Sequence, residues 1–355
     1  MNKLDNLKLI SKLDKSEVAK SISLLPKQCA QVWNDLKDIS IPPAYKKIQN
    51  IVVNGMGGSA LGSHIIRSLY GENLKVPMRI IHGYDLPAFV NSKTLYIASS
   101  YSGATEEVLA TITQALKRKA KILIVCGGGK LAQLKKRHRL PGYVFEPKFN
   151  PCGQPRIGLG YSILSQWLLL EKIGLLSFGA AQFNNIIAFL NDLDALFGVN
   201  VSAAKNPAKK LALNLSQKIP VIVTAEHLSG NAHTLANQIN ENSKNFAVYF
   251  LISEMNHHLL EGLAYPKTNP KNLCFFFLES SLFNPKNQKR FAVTKDVLKK
   301  NKINFSSHSC QSKDKIFQSF EVLVFGSYAS FYLAILNGID PAPVPWVNYF
   351  KNQLR

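Results

Sequence analysis

Acidic residues are scarce in this sequence. Its 355 residues carry 22 Asp and Glu against 43 Lys and Arg, a formal charge of +21. A surplus of that sign suits anionic partners: nucleic acid, a membrane surface or phosphorylated metabolites. The lysines are spread through Lys117 to Lys136, Lys205 to Lys218 and Lys286 to Lys302, with no zinc-finger or RRM pattern and no interleaved aromatics. No nucleic-acid partner is therefore expected. Cysteine is also scarce. Cys29, Cys126, Cys152, Cys274 and Cys310 are odd in number and form no C-x-x-C pair, which argues against a disulfide framework and a zinc site. Reduced thiols and a cytoplasmic location are the expectation. No apolar run reaches the roughly 20 residues of a membrane span, and the first residues mix charge with Leu rather than forming an apolar leader. Neither a membrane partner nor a signal peptide is expected.

The chain does contain strands and helices in alternation. Residues 1–45 read as a helical segment, with Leu7, Ile10 and Leu13 and then Val18, Ile22 and Leu25 spaced in threes and fours and Pro42-Pro43 closing it. From Ile48, apolar runs at 48–53, 78–81, 95–98, 121–125 and 143–146 read as strands separated by helical patterns. A turn-rich stretch from Pro147 to Pro155 and two helices at 161–170 and 181–196 follow. A second alternation then begins at Ile219, with strands expected at 219–223, 248–252, 273–278 and 303–305 and helices at 230–242, 288–300, 317–336 and 346–354. This predicts an α/β fold of two doubly wound parallel sheets: an N-terminal domain at 46–155, a helical connection at 156–200, and a C-terminal domain at 201–355.

The most informative stretch is Gly55-Met56-Gly57-Gly58-Ser59-Ala60, between a strand and a helix. It matches the G-x-G-x-x-A dinucleotide fingerprint, whose acid would have to be the late Asp85. The next strand–helix turn, Ser100-Tyr101-Ser102-Gly103-Ala104-Thr105, adds three hydroxyls at a second helix start. A pyrophosphate does not require them, whereas a terminal phosphate can use all of them beside unpaired amides and the positive helix end. In the second half, Glu241 on a helix and His257 sixteen residues later could transfer protons on a bound sugar. By spacing alone, a solvated Glu beside Lys244 explains Glu241 as well. Arg156, after Pro155 in a rigid turn, could stabilise an oxyanion or be a surface Arg. Lys351 is by default a solvated helix lysine. The other histidines, His64, His82, His138, His227, His233 and His308, show no metal-site spacing, and no metal is expected.

Taken together these residues resemble the sugar isomerase (SIS) domain signature, in Gly57-Gly58-Ser59 and Ser100 to Thr105. With Pro155-Arg156, Asn240 to Lys244, Asn256-His257 and a C-terminal lysine after Asp340-Pro341, the chain is similar to the bifunctional phosphoglucose/phosphomannose isomerases from Ile48 to Leu354. The resemblance implies two three-layer SIS domains, a homodimer, and cofactor-free interconversion of glucose 6-phosphate and fructose 6-phosphate, with mannose 6-phosphate a further substrate. It implies that Gly57, Gly58, Ser59 and Pro155 contact the sugar phosphate, and that Ser100, Ser102 and Thr105 hold the phosphate. Arg156 would stabilise the enediolate, and Glu241 would move the proton between C1 and C2. His257, contributed by the partner subunit, and Lys351 would assist ring opening. Ala104 and His258-Leu259 depart from the family pattern. A regulator with SIS domains, an isomerase of another phosphosugar and a nicotinamide dehydrogenase are the competing readings.

Overall fold

The computed structural model describes residues 2–354. In chain order the helices are α1 (Leu7–Leu13), α2 (Val18–Ser23), α3 (Leu25–Leu36), α4 (Gly58–Tyr70), α5 (Glu106–Lys117), α6 (Gly129–Arg137), α7 (Leu159–Lys172), α8 (Ala180–Phe197), α9 (Pro207–Leu215), α10 (Ser229–Gln238), α11 (Asn269–Asn272), α12 (Pro285–Lys300), α13 (Lys315–Leu336) and α14 (Pro345–Gln353). The strands are β1 (Asn50–Asn54), β2 (Met78–Ile81), β3 (Thr94–Ser100), β4 (Lys121–Cys126), β5 (Gly142–Val144), β6 (Ile219–Thr224), β7 (Val248–Leu251), β8 (Leu273–Glu279) and β9 (Asn304–Ser309).

The chain divides into two compact units, one of Leu24–Asn191 and one of Met1–Ser23 with Asp192–Arg355. The expected helical segment of 1–45 is thus shared between them. Leu4, Ile10, Val18 and Ile22 are buried in the second unit, and Leu25, Cys29, Val32 and Leu36 in the first. The expected connection at 156–200 is divided as well, within α8.

The unit of Leu24–Asn191 holds a five-stranded sheet in the order β2-β1-β3-β4-β5, every neighbouring pair parallel. Parallel strands need crossover helices, and the helices cover the faces, so central strands read as continuous apolar runs. β3 shows this: all seven of its residues are buried. α7 packs against α3 and α4 at close range. A Cβ on Gly62 of α4 would collide with Ser162 of α7, and Ser63 Oγ donates to Gln166 Oε1 of α7 at 2.7 Å.

The other unit holds a four-stranded parallel sheet in the order β7-β6-β8-β9. Its core helix is α13, buried over most of its 22 residues. With a mean hydropathy of 1.5 it is long and apolar enough to cross a membrane, which corrects the expectation that no apolar run reaches that length. Here its apolar surface is buried by the fold: 94% of that window lies inside the protein. α9 was not expected from the sequence, where Lys205 to Lys218 entered only as part of a dispersed positive charge. Lys209 on α9 is instead fully buried, its Nζ 3.1 Å from Asp5 Oδ1 and 3.0 Å from Val199 O, with the Tyr332 ring beneath it. A buried ammonium needs this full set of partners to offset its lost hydration.

Candidate functional site

The loop from β1 to α4 begins at Gly55 and carries Gly57 as the helix N-cap, with φ +46°, a region that L side chains avoid. Gly58 opens the helix. A Cβ there would lie 2.5 Å from Arg156 N and 2.7 Å from Pro155 C, so only glycine lets the Pro155-Arg156 turn approach the helix start. Ser59 follows, half-buried. Its Oγ accepts from Tyr101 N at 2.8 Å, and its carbonyl accepts from Ser99 Oγ at 2.7 Å. The first glycine loop is therefore tied to the second strand–helix turn by two hydrogen bonds that leave the Ser59 hydroxyl proton free to donate elsewhere.

That second turn runs from the end of β3 to α5. Ser100 Oγ lies 2.7 Å from Thr105 Oγ1 and accepts from Gly103 N at 3.1 Å. Ser102 is exposed, with its Oγ accepting from Ala104 N at 3.3 Å. Thr105 occupies the N-cap position of α5, but its hydroxyl is engaged by Ser100 and makes no capping bond. The amides at the start of α5 therefore have no side-chain acceptor, the condition that makes a helix N-terminus receptive to an anion. Gly103 has φ +66° and packs so tightly on Gly128 O that a Cβ could not be placed. The Gly127-Gly128-Gly129 turn after β4 supports it from behind, with Gly127 N donating to Tyr101 O and Leu131 N to Gly103 O, both at 2.9 Å.

Arg156 is fully buried, 1% exposed, and its guanidinium donates to Gln154 Oε1 at 2.8 Å. The turn that carries it is fixed by Asn150, whose Nδ2 donates to Tyr101 OH at 2.8 Å and to Gln154 O at 3.0 Å. Burial pushes the Tyr101 phenol up to about 12, so it remains a neutral hydroxyl there. Gly57, Gly58, Ser59, Ser100, Ser102, Thr105, Pro155 and Arg156 thus converge within one unit. Sequence reasoning missed Ser99, Tyr101, Asn150 and Gln154, which position that set. The turn-forming run Asn150-Pro151-Cys152-Gly153-Gln154 was the available signal for two of them.

The dinucleotide fingerprint finds no support at its acid. His82, not a carboxylate, follows β2, and its Nδ1 lies 2.8 Å from Gly55 O, while Asp85 is exposed further along the loop.

In the other unit, Glu241 stands half-buried on a single π-helical turn, Ile239–Ser243, that continues α10. Such turns interrupt the α ladder at functional positions. The residues around it are anchored on α13: Gln238 Nε2 donates to Ser327 Oγ at 2.8 Å and Asn242 Nδ2 to Ser330 Oγ at 2.9 Å. Lys244 ends the turn with φ +56°, its Nζ 3.0 Å from Asp340 O and 3.1 Å from Pro341 O. Lys244 Nζ is therefore held by backbone carbonyls. His257 ends a short 3₁₀ turn, Glu254–His257, and is exposed, with no hydrogen bond among the described residues. Its neighbours fix the turn: Met255 is buried, and Asn256 Nδ2 donates to Thr294 Oγ1 at 2.8 Å. Lys351 lies exposed on α14, a helix with no buried residue. These three residues occupy three separate elements.

Residues 204–354 match the family model described as the bacterial phospho-glucose isomerase C-terminal SIS domain. Over 339 residues the chain is 34% identical to the bifunctional phosphoglucose/phosphomannose isomerase of Caldicellulosiruptor bescii, covering 94% of this chain and 98% of that one. It is 28% identical over 315 residues to the enzyme of the same name from Thermoplasma volcanium, covering 87% and 92% of the two chains. Among solved structures, a hypothetical protein from Thermus thermophilus shares the fold with a TM-score of 0.73 at 15% identity, covering 99% and 93%. Over nearly its whole length, then, the chain belongs to the family of bifunctional phosphoglucose/phosphomannose isomerases.

Proposed function

We propose that the protein interconverts glucose 6-phosphate and fructose 6-phosphate, and acts also on mannose 6-phosphate, through a cis-enediol intermediate. The observation that carries this reading is the cradle of Gly57, Gly58, Ser59, Ser100 and Thr105. It offers amides, hydroxyls and an uncapped helix start to a phosphate, with the buried Arg156 fixed beside it. The phosphate serves as a handle: binding energy gained there holds C1 and C2 in position for reaction. Ser100, Ser102 and Thr105 hold the phosphate, and Gly57, Gly58, Ser59 and Pro155 line its approach. Glu241 takes the proton from one carbon and returns it to the other. The fixed charge of Arg156 stabilises the developing enediolate oxygen, a role suited to a side chain that does not lose its proton. His257 and Lys351 serve as the acid and base of ring opening at O1 and O5. The working species is a homodimer in which His257 acts on the substrate held by the partner subunit. The exposure of His257 and its lack of a hydrogen bond suit a group used by a second copy. A cytoplasmic location follows from the substrates.

Glu241→Gln tests the base. Removing a general base costs about 10²–10⁴-fold in turnover, so the variant should lose exchange of the C2 proton with solvent while still binding fructose 6-phosphate. A Glu241→Gln enzyme that turns over fructose 6-phosphate and mannose 6-phosphate at the parent's rate would remove Glu241 from the mechanism. Sharing of sites between copies has its own test. Glu241→Gln and His257→Ala chains, each inactive, should regain activity when dissociated and reassembled together, because mixed dimers contain one intact site. If mixing restores nothing, His257 serves its own chain.

A further inference from the structure

We propose that His308, Cys310 and Glu321 form a divalent-metal site, best matched to zinc, that clamps the edge strand β9 to the core helix α13. His308 lies on β9, Cys310 follows it directly, and Glu321 lies on the second turn of α13. One ligand atom from each residue falls within 4.8 Å of the other two. His308 Nε2 is 2.7 Å from Glu321 Oε1. Cys310 is 8% exposed and Glu321 5% exposed, so this is an interior cluster and not a chance grouping of surface acids.

Three further features suit a metal. The ligand set is imidazole, thiolate and carboxylate, the donors zinc takes with bonds of about 2.0–2.3 Å. Tetrahedral bonds of that length hold the donors roughly 3.3–3.8 Å apart, so the His308–Glu321 pair need open only slightly as the ion replaces the proton between them. Each ligand is also held by its surroundings. The second oxygen of Glu321 accepts from Gln311 N at 3.2 Å, the His308 ring stacks on Phe325 at 4.3 Å, and Cys310 N donates to Glu279 O at 3.0 Å. Such supporting contacts orient metal ligands. Finally, the charges balance. M²⁺ with one thiolate, one carboxylate and a neutral imidazole is neutral overall, so the ion ends among ligands that match its charge, and the Cys310 thiol proton leaves to solvent as the thiolate binds.

β9 is where a clamp has most to offer. Among the described residues it pairs with β8 alone, and none of its six residues is buried, so little apolar surface holds it. The sequence reading set His308 aside because its spacing matched no metal motif. The third ligand is supplied by α13, after a turn and a helix start that spacing rules do not cover. The site is independent of the proposed isomerase chemistry.

Cobalt(II) titration of the chelator-washed, reduced full chain tests the proposal. Expected are a thiolate-to-cobalt charge-transfer absorption saturating near one ion per chain and a rise in melting temperature with added zinc. Cys310→Ser should lose the absorption. His308→Gln, which keeps the thiol, should weaken cobalt binding by at least about 10-fold, the scale on which loss of even a supporting residue acts. Absence of the absorption in the parent chain at excess cobalt overturns the site, whatever the variants do. So does an absorption of full strength in Cys310→Ser, which would place the ion on another cysteine.

Discussion

The two sheets present the same two turns in opposite conditions. In strand order, β2-β1-β3-β4 corresponds to β7-β6-β8-β9, so the β1–α4 and β3–α5 turns of one unit correspond to the β6–α10 and β8–α12 turns of the other. In the first pair the turn residues are glycines and hydroxyls, and the start of α5 carries no side-chain cap. In the second pair, polar side chains close the start of α12 and tie the turns to α13. Glu226, at a positive φ of 48° like Gly57 at 46°, reaches the start of α12, where its Oε1 accepts from Asn284 N at 2.7 Å and Asn287 Nδ2 at 2.8 Å. Asn284 itself caps Lys286 N. His227 and Ser280 both donate to Gln318 Oε1 of α13, at 2.8 and 2.6 Å. Burial pulls the His227 pKa below its usual value, so the ring is held neutral. Where one unit leaves a helix start without a side-chain acceptor, the other supplies its own anion, the Glu226 carboxylate. The same strand–turn–helix plan thus gives an open turn in one unit and a helix start closed by its own side chains, at α12, in the other. The difference lies in four or five side chains.

The most severe way to break the comparison is to give the open cradle a side chain. Gly58→Ala drives a methyl group against the Arg156 amide and the Pro155 carbonyl carbon, both backbone atoms that cannot rotate aside. Overpacking of this kind costs about 1–3 kcal/mol of stability. Displacing Arg156 by the distance needed should also cost about 100-fold in kcat/KM, as small misplacements in an active site do. Thermal unfolding and steady-state kinetics on fructose 6-phosphate measure the two effects. Parental values of both would mean that the close approach of the two turns has no bearing on the site.

Much of this was legible in the sequence, and the limits have physical causes. The apolar runs that became β1 to β4 and β6 to β8 were visible because parallel strands are buried on both faces. β9 extended well past its expected 303–305, since Ser306 to Ser309 carry no apolar signal and are held by pairing with β8. The Gly57 and Ser100 turns were legible as strand-to-helix turns from residue type, glycine by its backbone freedom and hydroxyls by their preference for helix starts. The lysine run 205–218 misled, as composition cannot say that Lys209 has Asp5 waiting some two hundred positions away. Glu226 was equally opaque. A Glu before a helix reads as ordinary first-turn acid, and only the fold shows that it serves another helix, α12. Glu241 stood out by family resemblance, while its π-helical setting depends on α13, nearly ninety positions on.

A gentler intervention sharpens the comparison from the sealed side. If Glu226 stands in for an anion, Glu226→Ala removes a carboxylate from a helix N-terminus, a loss worth about 0.3–1 kcal/mol at low ionic strength. The residue is exposed, so salt should shrink the effect. Glu226→Gln separates the two contributions: it keeps an oxygen to accept from Asn284 N and Asn287 Nδ2 but carries no charge. The expected order of melting temperature at low salt is parent, then Gln, then Ala, with the gap between parent and Gln closing as salt is raised. Turnover should be unchanged in both, because this turn belongs to the sealed copy. A melting temperature for Glu226→Ala equal to the parent's at low salt would show that the carboxylate fills no electrostatic need at α12. The contrast between the two units would then rest on packing alone, with the left-handed conformation at 226 tolerated for the sake of the His227 and Gln318 contacts.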